Sequence, residues 1–147
     1  MKKRRWIWIG AFVLWLGFIW GNSLQPAAVS SQQSGAVLGG LSALLEMLHL
    51  PDVLTMHLVR KLAHMTEYCI LAICISFPLY VYGLRGFWLF IFAGLFCVAF
   101  ACTDEFHQSF VAGRGPSKTD VAIDSMGALF GIILVQLFCH GFTGPSH

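Results

Sequence analysis

Residues 6–24 read WIWIGAFVLWLGFIWGNSL, an apolar run of 19 residues without a charged side chain. A helix that crosses a lipid bilayer needs roughly 20 mostly apolar residues. Three further runs have comparable length, at 62–82, 86–103 and 121–139. We therefore predict an all-α integral membrane fold with four transmembrane helices, the second and third joined by a tight turn at 83–86.

The composition of the chain supports a membrane setting for all of residues 1–147, as a single domain. Of its 147 residues, 57% are apolar and 11% are charged, and the mean hydropathy is +0.74. Soluble domains carry roughly 25% charged residues. The net charge of +2 comes mainly from the basic run KKRR at 2–5, which is typical of a topology signal. The lipid bilayer is the expected partner, and no nucleic acid is expected.

The segment 25–58, between the first two predicted spans, contains an apolar stripe with helical spacing. The stripe is about 15 residues long, which is too short to span a membrane comfortably, so we predict an interfacial or re-entrant helix. Pro51 is expected to end this helix, and Asp52 is a plausible N-cap for the next. The residues of the stripe are Val37, Leu38, Leu41, Leu44, Leu45 and Leu48.

The distribution of basic residues predicts the orientation in the membrane. The run at 2–5 and Arg85 lie on the same side of the predicted bundle, whereas segment 25–58 contains no lysine or arginine. Positively charged loops stay in the cytoplasm, so we expect both termini there and segments 25–58 and 104–120 outside. Four basic residues, Arg60, Lys61, Arg114 and Lys118, then fall on the outer side and need another reason to be there.

Ionisable and polar residues gather at the outer ends of the second, third and fourth predicted spans. A charge within a span costs roughly 2.5–3.5 kcal/mol on insertion scales and is usually retained for function or pairing. We therefore expect His64 and Glu67, the deepest of these groups, to face the bundle interior and to touch the fourth span or segment 104–120. The set comprises His57, Lys61, His64, Glu67 and Tyr68 in the second span, then Asp104, Glu105, His107 and Gln108 just past the third, then Arg114, Asp120 and Asp124.

Several of these residues occur in motifs that closely resemble the VanZ-like family. The motifs are RKLAHMTEY at 60–68, TDEFHQSF at 103–110, and the residues Gly113, Arg114, Asp120, Asp124 and Gly127, together covering 60–131. The family's serine-rich stretch after the first span also has a counterpart in Asn22-Ser23-Leu24-Gln25 and at 30–34. The resemblance implies a bacterial plasma-membrane protein with a cell-envelope role related to resistance to the glycopeptide teicoplanin.

Three functions are compatible with this polar cluster. The first is a site that recognises the anionic headgroup of a phospholipid or a lipid-linked cell-wall precursor, because arginine can contact phosphate oxygens bidentately. The second is a metal-assisted hydrolase acting on such a lipid. The third is a purely structural bundle held by charge pairs. The sequence leaves the cofactor and the oligomeric state open.

The Gly127-x-x-x-Gly131 motif predicts close helix packing, either within the chain or between protomers.

The polar residues are assigned expected roles under these alternatives. No metal ligand is assigned, although His64, Glu67 and His107 are candidates. The candidate catalytic residues are Glu67, Glu105, His107 and Asp120, and the candidate ligand-binding residues are Lys61, His64, Tyr68, Asp104, Gln108, Arg114 and Asp124.

Overall fold

The structure is a computed structural model that describes residues 2–49, 51, 53–115 and 117–142. Those residues form five helices: α1 (Lys2–Ser23), α2 (Ala27–Met47), α3 (Met56–Val81), α4 (Gly86–Gln108) and α5 (Lys118–Phe142). All except α2 are long and apolar enough to cross a membrane. The predicted fold, with four spans and one shorter helix between the first two, is confirmed, and the protein is a multi-pass membrane protein.

Among the helix boundaries that differ from the prediction, those of α3 and α4 bear on the polar residues. Helix α3 begins six residues earlier than expected, after Thr55, whose side-chain oxygen accepts a hydrogen bond from the backbone N–H of Leu58. The proposed cap Asp52 lies outside the described residues. Helix α4 continues to Gln108, so the four polar residues expected past its end form its last turn instead. Asp104, Glu105 and Gln108 are buried there, and a helix satisfies the backbone groups that a buried loop would leave unpaired.

Helices α3 and α5 make the most extensive contact in the bundle. The two glycines of the G-x-x-x-G motif lie in this interface. A Cβ atom at Gly127 would overlap the backbone carbonyl of Met65, and one at Gly131 would overlap that of Cys69. Only glycine lets the two backbones approach this closely, so the motif packs two helices of the same chain.

Helix α2 is longer than predicted and packs against α3. It has 21 residues, compared with the stripe of about 15 that the apolar spacing indicated. Its first residue, Ala27, donates its backbone N–H to the carbonyl of Ala112 at 3.3 Å, which ties α2 to the loop between α4 and α5. Within the predicted stripe, Val37, Leu41 and Leu44 are exposed. An exposed apolar stripe is what a helix resting in the membrane interface requires.

Candidate functional site

A cavity of about 370 Å³ lies between α2 and α3, at the end of the bundle where α1 and α4 finish and α3 and α5 begin. We refer to it as the α2–α3 cavity. One part of its lining is polar: Asn22, Gln25, Ser30, Gln33, Ser34, Arg60, His64, Thr66, Glu67 and Arg114. The remainder is apolar: Val37, Leu41, Leu54, Val59, Leu62 and Ala63. The cavity is therefore amphipathic.

Glu67 and His64 lie on α3 at the polar end of the α2–α3 cavity. Asn22 at the end of α1 donates its side-chain amide to Glu67 Oε1 at 2.8 Å, and Trp15 donates its indole N–H to the Glu67 backbone carbonyl at 2.9 Å. The other carboxylate oxygen, Oε2, is 3.7 Å from His64 Nδ1, too far for a hydrogen bond. Both of these atoms are buried without a partner.

The prediction that Glu67 and His64 face the bundle interior agrees with this placement, but their expected neighbours were incomplete. The direct hydrogen-bond partner of Glu67 is on α1, which the sequence argument did not consider. The loop between α4 and α5 does reach the same cavity, through Arg114. Helix α5 does not line it.

Arg114 enters the α2–α3 cavity from the loop between α4 and α5. Its Nε atom is buried and unpaired. Burial lowers the pKa of the Arg114 guanidinium from its ordinary value, and Arg60 nearby adds to this effect, while the neighbouring carboxylates oppose it. The loop is held by Glu105, whose Oε1 accepts a hydrogen bond from the backbone N–H of Ser117. Arg114 is therefore a cation at the cavity whose Nε–H can still donate a hydrogen bond.

A second polar group lies deeper between the spans and does not line the α2–α3 cavity. Gln108 donates its amide to Asp104 Oδ2 at 3.1 Å and to Ser23 Oγ at 3.2 Å, which joins the ends of α4 and α1. Tyr68 is fully buried, and both its hydroxyl and one oxygen each of Asp104 and Asp124 lack a partner. Electrostatic interactions link Tyr68 to both carboxyl groups. Such groups are costly in a membrane interior and indicate function or specific pairing.

The remaining predicted site residues lie outside the lining of the α2–α3 cavity. Lys61 Nζ is 3.2 Å from Asp120 Oδ1, an ion pair that links α3 to α5. The ring of His107 packs on that of Trp20, with 4.7 Å between centroids. His57 is exposed. Glu105, His107 and Asp120 do not line the α2–α3 cavity, although Asp120 interacts electrostatically with His64 and Glu105 with Arg114.

The geometry does not assemble a metal centre from the residues it describes. Within 2–49, 51, 53–115 and 117–142, no three or more histidine, cysteine, aspartate or glutamate side chains come close enough to hold a metal ion. The candidate ligands are accordingly separated. His64 and Glu67 are adjacent at the α2–α3 cavity, whereas His107 packs against Trp20.

Comparison with known families gives this arrangement a context. The family model VanZ/LLP1 matches residues 8–139, which is most of the chain. The chain belongs to the VanZ/LLP1 family. No curated protein and no solved structure matches it.

The VanZ/LLP1 match covers most of α1 and all of α2, of which the motif resemblance had included only residues 22–25 and 30–34. This matters because the sequence argument missed the contributions of both helices to the α2–α3 cavity. A signal was present in α2: Ser30, Gln33 and Ser34 recur at i, i+3 and i+4 and therefore share one face. Asn22 lies in the stretch 22–25 that resembles the family, but the sequence did not indicate that its partner is Glu67.

Proposed function

We propose that this VanZ/LLP1 protein binds the anionic headgroup of a membrane lipid, a phospholipid or a lipid-linked cell-wall precursor, in the α2–α3 cavity. The observation that carries the proposal is the polar end of that cavity. There Arg114 Nε, His64 Nδ1 and Glu67 Oε2 are buried without a hydrogen-bond partner, and the last two atoms are 3.7 Å apart. Buried polar atoms are normally hydrogen-bonded, so three unpaired ones on a cavity lining favour a ligand.

The charge of the lining favours an anion. Arg60 and Arg114 contribute two positive charges and Glu67 one negative charge, and His64 adds an imidazole. A guanidinium offers a planar set of donors that matches two phosphate or carboxylate oxygens at once. Arg114 retains that capacity, because its Nε is unpaired and the loop that carries it is held in place by Glu105.

The shape of the cavity favours a lipid over a free anion. Its volume, about 370 Å³, lies within the range of small-ligand sites but is larger than a phosphate alone requires. The apolar lining includes Val37 and Leu41 on α2 and Leu62 on α3, whose side chains are exposed and not packed into the bundle core. A headgroup at the polar end would thus have its acyl or prenyl chain directed between α2 and α3 towards the bilayer.

The cellular setting follows as part of the same proposal. The protein resides in the bacterial plasma membrane with both termini in the cytoplasm, so the α2–α3 cavity opens on the outer face, where cell-wall precursors are used. Lys2–Arg5 and Arg85 support this orientation. In this proposal, the protein contributes to teicoplanin tolerance by binding a lipid at the outer face of the membrane.

The two alternative functions account for less of the geometry. A charge-paired bundle explains the Lys61–Asp120 ion pair but leaves Arg114 Nε and His64 Nδ1 buried without partners. A metal-assisted hydrolase needs ligands that converge, and among the described residues no such group is formed. Lipid binding is therefore the function that the cavity supports best.

Arg114→Lys tests the proposal, because it keeps the positive charge but removes bidentate contact. Native mass spectrometry of the solubilised protein should show phosphatidylglycerol binding weakened about tenfold, as expected for the loss of one charge-assisted hydrogen bond. Binding of neutral phosphatidylcholine should not change. On overexpression, any gain in teicoplanin tolerance should disappear while the protein level in the membrane stays normal.

Arg85→Lys is the matched control. Arg85 lies in the turn before α4, and its guanidinium is 4.9 Å from the centre of the Tyr80 ring. It does not line the α2–α3 cavity. This variant should bind phosphatidylglycerol as the wild type does. Equal behaviour of the two variants, or disappearance of Arg114→Lys from the membrane, would refute the proposed site.

A further inference from the structure

The face that α2 turns towards the α2–α3 cavity changes character along the helix. Ser30, Gln33, Ser34, Val37 and Leu41 line the cavity at positions i, i+3, i+4, i+7 and i+11, so they form a single helical face. Its first half is hydroxyl and amide, and its second half is aliphatic. On α3 the cavity lining is mixed along the helix, with polar Arg60, His64 and Glu67 next to apolar Val59 and Leu62.

The polar half of this face has hydrogen-bonding capacity that the fold does not use. Within the described part of the chain, no side-chain hydrogen bond occupies Ser30, Gln33 or Ser34, although Gln108 and Asn22 nearby are engaged. Hydroxyl and amide groups both donate and accept hydrogen bonds. A phosphodiester group only accepts hydrogen bonds, and the two arginines already provide donors for it.

The cation and the polar face of α2 lie at the same end of the cavity. The backbone N–H of Ala27, one turn before Ser30, is hydrogen-bonded to the Ala112 carbonyl, two residues before Arg114. A Cβ atom at Gly113 would come within 3.1 Å of the Ala27 side chain, so the loop and the start of α2 are in close contact. A ligand held by Arg114 therefore has its next substituent beside Ser30, Gln33 and Ser34.

We propose that the headgroup bound in the α2–α3 cavity carries hydroxyl groups next to its phosphate, as a polyol or sugar does, and that the polar face of α2 recognises them. This inference rests on the proposed function, since it assigns a chemical class to the ligand of the same site. Arg114 and Arg60 contact the phosphate, and Ser30, Gln33 and Ser34 select the substituent attached to it.

Two lipids with the same phosphodiester charge and the same acyl chains separate this selection from charge recognition. Phosphatidylglycerol carries two hydroxyl groups on its headgroup, and phosphatidylmethanol carries none. In native mass spectrometry of the solubilised full chain, the wild type should bind phosphatidylglycerol about fivefold more tightly, the effect of one net hydrogen bond. The double variant Gln33→Leu, Ser34→Ala should bind both lipids equally, because it keeps the arginines.

The neighbouring pair on α2 is the matched control. Ser31 and Gln32 do not line the cavity, and Gln32 is exposed, so Gln32→Leu with Ser31→Ala should retain the fivefold preference. A wild type that binds both lipids equally, but loses both in Arg114→Lys, would overturn the headgroup inference and leave the proposed function intact. If neither anionic lipid binds better than phosphatidylcholine, both the headgroup inference and the proposed function are overturned.

Discussion

Replacement of Gly127 by alanine should destabilise the bundle, because the contact between α3 and α5 has no room for a methyl group. The added Cβ would overlap the carbonyl oxygen of Met65 and would lie 2.9 Å from its carbonyl carbon and 3.0 Å from its Cα. These are backbone atoms, so no rotamer change can relieve the overlap. The helices must separate instead.

The cost of that separation can be estimated from the interface. A gap of about 1 Å forfeits a quarter to a half of the dispersion energy of the contacts that it opens. Overpacking of this kind typically costs about 1–3 kcal/mol, and the upper end applies here because α3 and α5 share the most extensive interface of the bundle. Alanine has the better helix propensity, by about 1 kcal/mol, which offsets part of the loss. We expect a net destabilisation of about 1–2 kcal/mol.

Unfolding of the purified protein by titration with sodium dodecyl sulfate, followed by tryptophan fluorescence, measures this free energy. Gly17→Ala in α1 is the matched control, since no atom lies within 4 Å of its added Cβ. It should be neutral, or more stable by up to about 1 kcal/mol. Met65→Ala should not rescue Gly127→Ala, because only the backbone of Met65 is involved. Equal stability of the two glycine variants, or rescue by Met65→Ala, would show that the helices do not pack as described.

Two further predictions concern the site and its orientation. A double-mutant cycle of Asn22→Ala and Glu67→Ala should give a coupling free energy of about 0.6–1.7 kcal/mol, the range for hydrogen bonds between transmembrane helices, and a coupling of zero would exclude the contact between α1 and α3. In a variant without the native cysteines, Ser117→Cys should react with a membrane-impermeant thiol reagent in intact cells, because the loop between α4 and α5 is expected outside; labelling only after the cells are opened would invert the proposed topology.

The sequence identified many residues of the candidate site but not their spatial arrangement. His64, Glu67 and Arg114 stood out because a charge in or beside a span is costly. Glu105, His107 and Asp120 stood out for the same reason. They contact the Ser117 backbone, the Trp20 ring and Lys61, and His107 Nδ1 is buried without a hydrogen-bond partner. Cost alone identifies a polar group without saying whether its partner is another part of the protein or a ligand.

The sequence by itself determined the four spans and the close approach of α5 to another helix. Both are local properties: in lipid each backbone must satisfy its hydrogen bonds within its own helix, so apolar length defines a span, and the spacing of Gly127 and Gly131 marks a surface without side chains. Helix α2 was also predicted, although its polar face and its full length were not.

Only the tertiary structure decided which side chains share the α2–α3 cavity. Asn22 and Glu67 are 45 positions apart, and Ala27 meets Ala112 across most of the chain. Helical periodicity identifies the faces of a helix but not the rotation that turns one of them towards a neighbour. In a membrane that rotation depends on how well the helix surfaces fit together. Lipid is as apolar as the side chains, so the hydrophobic effect does not select which face of a helix is buried.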